Sequence, residues 1–187
     1  MKKVVLWISL VAFALVLGCR VGITNIPVEA VAEPSEPIIE QTPTQTTEPD
    51  YEIVLRESEV VAMAKLAWGE ARGCSTMEIA AVMWTVLNRV DAYGQSILEV
   101  ITAPYQFHGY SEEHPVDDAL YELAKDVIAR WQMEKQGVSE EKVGRVLPSG
   151  YLYFHGDGVH NYFRIEYDNF NNLWDWSYPN PYETEGR

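Results

Sequence analysis

Beyond residue 50 the apolar positions recur first at helical spacing and then at strand spacing. Val60, Met63, Ala64, Ala67 and Ala71 lie on one i, i+3, i+4 stripe. That stripe predicts a helix N-capped by Ser58 and running to about Ala71, with Gly73 as its stop signal. Ser75 and Glu78 have the S-x-x-E form of a capping box and open a second helix. Its run IAAVMWTVLNRV is apolar almost all round, the pattern of a buried central helix. A short third helix is expected near Ser96 to Thr102. A fourth is expected from near Pro115 to about Lys135, with Leu120, Leu123, Ala124, Val127 and Trp131 as its stripe and Asp117, Glu122, Lys125, Asp126 and Arg130 off it. Ser139 to Val143 can add one helical turn. Tyr151 to His155 and Val159 to Ile165 are aromatic and β-branched runs around Gly156-Asp157-Gly158, which predicts a β-hairpin. The tail then carries Tyr167, Phe170, Trp174, Trp176, Tyr178 and Tyr182 among Asn and Asp. Together these elements predict a mainly α fold with a small β-hairpin.

The first fifty residues follow another pattern. Lys2 and Lys3 precede an apolar run from Val4 to Leu17. The run is shorter than the roughly 17–25 residues a spanning helix needs and suits the core of a signal peptide. Ala30-Val31-Ala32 has the small-x-small form of a signal-peptidase site. Val16-Leu17-Gly18-Cys19 resembles a lipoprotein processing site, which would put a lipid on Cys19 and tether the chain to a membrane. An uncleaved anchor ending at Arg20 is the third reading. All three place the rest of the chain in an extracytoplasmic setting: secreted, in the cell wall, or held as a membrane-anchored lipoprotein. Residues 33–50 are rich in Pro, Thr, Gln and Glu and read as a disordered spacer, because they cannot bury enough apolar surface to offset the entropy of ordering. The expected organisation is thus a signal over 1–32, a linker over 33–50 and one folded domain over 51–187.

Composition narrows the function. The 187 residues carry 28 acidic and 14 basic side chains, a net charge of −14. A protein built to grip nucleic acid needs a basic surface, so that class is excluded. Two cysteines, Cys19 and Cys74, cannot form a disulfide framework.

The candidate chemistry centres on Trp68-Gly69-Glu70-Ala71-Arg72-Gly73. Glu70 stands three residues after Ala67 and four after Leu66, so a helix places its carboxylate beside the apolar face in the last turn. The negative end of the helix dipole and apolar surroundings both disfavour ionisation there. A carboxyl held protonated near neutral pH is what a general acid for glycosidic cleavage requires. The alternative is a surface pairing with Arg72 or Arg89. Gly69 and Gly73, one on each side, predict room for a bulky group at the carboxylate.

The stretch AKLAWGEARGCSTMEIAAVMWTVLNRV resembles the opening of the SleB/CwlJ-type cell wall hydrolase family, the spore cortex-lytic enzymes and their vegetative relatives. The carrying motifs are GEARG at Gly69 to Gly73 and LNRV at Leu87 to Val90, followed by Gln106-Phe107 and Tyr153-Phe154. The similarity covers most of residues 58–165. It departs at Glu78-Ile79, where the family has Gly-Gln, and after Phe154, where HGDGVHNYFR replaces the common ending. The resemblance implies a lysozyme-like (α+β), mainly helical fold acting on peptidoglycan glycan strands, with Glu70 as the catalytic acid. In a lytic transglycosylase Glu70 would protonate the leaving oxygen of the MurNAc–GlcNAc bond. It would then act as base on the muramic C6 hydroxyl and close a 1,6-anhydro ring. That route needs one carboxylate. Hydrolysis by a muramidase needs two, about 5–5.5 Å or about 6.5–9.5 Å apart.

Asp157 is the best second carboxylate, unless it only makes the turn. Tyr153, His155 and Asn161 are candidates to hydrogen-bond the sugars. Asn88 is expected to tie backbone groups near the end of the first helix and so support Glu70, Arg72 to fix local carboxylates, and Trp68 to desolvate the acid. Trp174 and Trp176 alternate with polar residues, as a glycan-stacking strip would, or else belong to a C-terminal wrap. Rival readings are a zinc enzyme using His108, His114, His155, His160 and Asp157, a cysteine amidase built on Cys74, and a non-catalytic glycan-binding lipoprotein. No HExxH-type spacing is present, so neither a metal nor another cofactor is expected.

Overall fold

The computed structural model describes residues 38–39 and 50–183, which belong to one compact unit, Ser35–Arg187. The readings of a signal, a processing site and a lipid on Cys19 lie outside the described residues. The spacer reading needs correction at one point. Ile38–Ile39, here β1, pairs antiparallel with β2, Leu55–Arg56, in the register Ile38 to Arg56 and Ile39 to Leu55. The folded unit therefore recruits chain from within the Pro/Thr/Glu-rich segment.

Strand β2 runs straight into α1, Glu57–Ala71. Arg56 has extended backbone and occupies the N-cap without a side-chain cap. Ser58 is thus inside the first turn rather than at its cap, because the strand pairing fixes where extended backbone ends. Glu57 and Glu59 favour the positive end of the helix dipole instead. Gln132 and Gln136 stitch the preceding segment to α4, Asp118–Lys135: Gln136 brackets the backbone of Glu52 at 3.1 and 2.9 Å, and Gln132 that of Val54 at 2.8 and 2.6 Å.

Helix α2, Thr76–Tyr93, is central, and Ile79 to Leu87 are buried whichever way they point. Helices α1, α4 and the short α3, Ile97–Thr102, pack against it. Gly94, with φ +67, closes α2 by donating to the Val90 carbonyl, a left-handed cap that glycine adopts without penalty. Ser96 and Glu99 make the reciprocal capping box of α3. Helix α4 begins at Asp118, not near Pro115, because the Asp117 carboxylate accepts from the amides of Ala119 and Leu120 and sets the cap there.

The Ser139–Val143 turn forms through Val143 N–H to Ser139 O at 3.0 Å. It delivers Arg145 into the core. The Arg145 guanidinium lies 4.1 Å over the Trp84 ring, pairs with Glu134 and donates to Leu147 O and to Asn88 Oδ1. The hairpin follows as β3, Tyr153–Gly156, and β4, Asn161–Arg164, paired Tyr153 to Arg164 through Gly156 to Asn161. Its loop, Asp157 to His160, is longer than the expected Gly-Asp-Gly turn. Phe163 and Phe154 anchor the hairpin to the helices by packing on each other and, for Phe154, on Phe107. The chain is therefore helix-rich with a small two-stranded antiparallel hairpin sheet, in line with the mainly α expectation.

Candidate functional site

Glu70 projects from the last turn of α1 and is half-buried. Its Oε1 accepts the Gly109 amide N–H at 2.7 Å. The Gly109 carbonyl in turn accepts from His114 Nε2 at 2.8 Å, so this one residue is held on both sides. Among the described residues, no donor reaches Oε2. The contact exists because two glycines meet. A Cβ on Gly69 would lie 1.6 Å from Gly109 O, and one on Gly109 would lie 2.7 Å from the Gly69 backbone and 2.9 Å from Glu70 Cδ. Gly69 thus does not clear space for a ligand, as the sequence suggested. It admits the loop that fixes Glu70. Gly73 does clear space, since nothing would approach a Cβ there within 4 Å.

The pairing of Glu70 with Arg72 or Arg89 is not formed. Arg72 donates to Trp68 O at 3.1 Å and lies 5.5 Å over the Trp68 ring. Trp68 packs against the core and does not line the groove at Glu70. Arg89 is only 5% exposed, donating to Leu152 O at 2.7 Å and Gln106 Oε1 at 3.0 Å and lying 4.6 Å over the Phe107 ring. Burial lowers its pKa, and the nearby Tyr93, Tyr153 and Glu70 oppose that shift. Gln106, Phe107 and Tyr153 therefore converge on the guanidinium of Arg89, the arginine of LNRV. Asn88 does not tie the end of α1. It donates to Pro148 O at 2.9 Å and Tyr151 O at 2.8 Å, and so fixes the approach to β3. Its place on α2 faces the incoming chain, not α1.

Opposite Glu70 stands the hairpin. Gly69 to Cys74 and Gly156, Gly158, Val159, His160 and Asn161 line a groove of about 430 Å³. Asp157 is not among its walls. Asp157 Oδ1 accepts the amides of Val159 and His160, both at 2.8 Å, and Oδ2 accepts the Tyr162 hydroxyl at 2.9 Å. These donors, the two amides first, hold its carboxyl down at about 2. The Asp157 carboxylate therefore makes the loop. His155 lies on the strand face opposite Asn161, stacked on Tyr162 and edge-on to Phe170, with its Nδ1 accepting from Arg164. Tyr153 sits at the far end of β3 beside Arg89 and shares a 3.2 Å hydroxyl contact with Tyr93. Of the proposed sugar contacts only Asn161 lines the groove.

Glu78, read from the sequence as one half of a capping box, has another task. Ser75 Oγ does accept the Glu78 amide, but the Glu78 side chain, buried in the first turn of α2, turns away from the cap. Its Oε1 accepts the Asn161 amide at 2.5 Å, and its Oε2 lies 3.4 Å from His160 Nδ1. Sequence reasoning missed this because the S-x-x-E pattern explained the residue without a tertiary partner. Cys74 is next to it. Burial and then its hydrogen bond to Glu78 push the Cys74 thiol up to about 11. That shift opposes the thiolate which the cysteine-nucleophile reading requires.

The aromatic tail divides. Trp174 turns inward, donating its amide to Phe163 O at 2.9 Å and packing edge-on against Tyr151 and Tyr178. Tyr178 and Tyr182 reach Glu140 and Asp126. Trp176 is 36% exposed with φ +59 and lines a second groove of about 510 Å³ with Glu78, His160, Asn161 and Tyr162. The alternation is therefore half wrap and half groove wall. Among the described residues, no group of three or more His, Cys, Asp or Glu side chains is placed to hold a metal ion, and no helix is long and apolar enough to cross a membrane. Compared with protein families, curated proteins and solved structures, the chain matches none.

Proposed function

We propose that this chain is an extracytoplasmic peptidoglycan lytic enzyme of lysozyme-like fold, cleaving the MurNAc–GlcNAc bond as a lytic transglycosylase. Glu70 protonates the leaving oxygen and then takes the proton of the muramic C6 hydroxyl. The observation that carries this reading is the disposition of Glu70: one oxygen is pinned by the Gly109 amide, and among the described residues no donor reaches the other, beside an open groove. A carboxyl that must act twice has to be oriented, and a charge-assisted hydrogen bond on one oxygen orients it while leaving the other available. The GEARG, LNRV and Gln-Phe motifs, which resemble those of the cell wall hydrolases, add support: GEARG supplies Glu70, and Arg89 of LNRV binds Gln106 and lies over Phe107. The engagement of both Asp157 oxygens in the loop favours the one-carboxylate route over a muramidase that uses Asp157. The substrate is the glycan strand, recognised by stacking and hydrogen bonds, with a lipid on Cys19 as the proposed tether.

Digestion of purified peptidoglycan, with mass spectrometry of the released muropeptides, tests this. Wild type is expected to release anhydro-muramic ends, and Glu70→Gln to release none while still binding the glycan. Reducing muramic ends would replace the transglycosylase with a hydrolase. Near-full activity of Glu70→Gln would overturn the assignment of the acid. Binding without release by either protein would leave a glycan-binding lipoprotein.

A further inference from the structure

The wall facing Glu70 carries a second proton-transfer group. We propose that His160, oriented by Glu78, takes the proton of the attacking hydroxyl while Glu70 delivers its own to the leaving oxygen. This rests on Glu70 as the acid, as given above, and moves the second step, uptake of the C6 hydroxyl proton, from Glu70 to His160.

The argument starts from the backbone of the loop. Asp157 N–H donates to His160 O at 3.1 Å, Asp157 Oδ1 holds the amides of Val159 and His160, and Glu78 holds the amide of Asn161. His160 is thereby fixed on both sides, although it stands at a loop. Its ring is not packed away, for its side chain remains 64% exposed and lines both the Glu70 groove and the groove beside Trp176. The carboxylate behind it, Glu78, is buried and can only accept. Its 3.4 Å approach therefore assigns the proton to Nδ1 and leaves Nε2 as an acceptor. A carboxylate behind the inner nitrogen fixes the tautomer and stabilises the imidazolium that forms when the outer nitrogen takes a proton.

The step balances. The Glu70 carboxyl proton goes to the glycosidic oxygen as the C1–O bond breaks. The C6 hydroxyl oxygen bonds to C1, and its proton goes to His160 Nε2. Glu70 is left as carboxylate and His160 as imidazolium, and proton exchange with solvent resets both. The charged and titratable groups around His160 are Glu78 and Cys74 at the start of α2, Glu70 and Arg72 at the end of α1, Asp157 and Tyr162 on the hairpin, and Glu183 in the tail.

The test uses the full chain on purified peptidoglycan, comparing wild type, Glu70→Gln, His160→Gln and Glu78→Gln. A general base of this kind contributes about 10²–10⁴-fold, so kcat of His160→Gln is expected to fall about a hundredfold with KM within threefold. The acid limb of the pH–rate profile should vanish in His160→Gln, and kcat should fall in Glu78→Gln, where the ring loses the carboxylate that orients it. In parallel, the ring NMR signals of His160 in Glu70→Gln should shift when a soluble glycan oligomer is added. Unchanged kcat and an unchanged acid limb in His160→Gln, with wild type lytic, would overturn the inference while leaving the Glu70 reading intact. A His160→Gln protein slowed but retaining the acid limb would also overturn it, since a merely structural role has that effect. A wild type that releases no muropeptides would overturn both.

Discussion

Replacing Gly69 by alanine sets two physical effects against each other. Gly69 lies in the last turn of α1, where alanine should gain up to about 1 kcal/mol of helix propensity over glycine. If propensity ruled, Gly69→Ala would be a stabilised protein. The new Cβ, however, would sit 1.6 Å from Gly109 O and 2.4 Å from Gly109 C. Backbone cannot yield as a side-chain end can, so the Gly109 loop must retreat by roughly 1.5–2 Å to reach ordinary van der Waals contact. The retreat breaks the 2.7 Å bond from Gly109 N–H to Glu70 Oε1, worth about 1.5–3 kcal/mol for a charged acceptor. Residual overpacking adds about 1–3 kcal/mol. Against the propensity gain, the net loss is about 1.5–5 kcal/mol, or a fall of roughly 5–20 °C in Tm. Thermal and urea unfolding measure it directly. Gly73→Ala is the control, because its Cβ would meet nothing. A cycle with Glu70→Ala isolates the hydrogen bond, and the loss caused by Gly69→Ala should shrink when the acceptor is gone. A Gly69→Ala protein as stable as wild type, or more so, would refute the account of this contact. Lytic activity of Gly69→Ala should fall at least tenfold, since a carboxyl without its amide is no longer oriented.

Three further outcomes follow from the geometry. Asp157 has a folded pKa held down to about 2, so its contribution to stability is present above the ordinary carboxylate range and is lost as pH falls through about 2. Wild type and Asp157→Asn should accordingly differ in Tm at pH 6 and converge near pH 2, and a gap that persists there would count against the loop role. Arg145→Met leaves the Glu134 carboxylate without its ion pair and Asn88 Oδ1 without its donor, so urea unfolding should show a loss of about 3–5 kcal/mol. A loss under about 1 kcal/mol would mean that the guanidinium is dispensable beneath Trp84. Cys74, with its thiol pushed up to about 11, should react slowly with a thiol reagent at pH 8, and Cys74→Ser should keep lytic activity. Rapid labelling near neutral pH would contradict the burial argument.

The sequence by itself determined the helices and the hairpin, because their signals are local. A stripe at i, i+3, i+4 or a Gly-Asp-Gly between two β-branched runs describes what a short segment can bury, whatever surrounds it. It also singled out Glu70, whose place on an apolar helical face is unusual within its own turn. What the sequence could not supply were pairings between residues far apart in the chain. Gly69 and Gly109 are forty residues apart, and only their meeting shows that one glycine is a docking notch for the other's peptide. Glu78 satisfied a local capping pattern, and its carboxylate was released to the hairpin only because Asn161 offers a buried amide that would otherwise lack an acceptor. Asn88 required a partner by its burial, and the tertiary structure chose Pro148 and Tyr151 over the end of α1. The alternation at Trp174 and Trp176 was visible, but which ring filled the core depended on where Phe163 and Tyr151 had already left space. Local periodicity fixes elements because it is set by the geometry of one segment. A site is set by which buried polar groups find each other, and that is decided only when the elements pack.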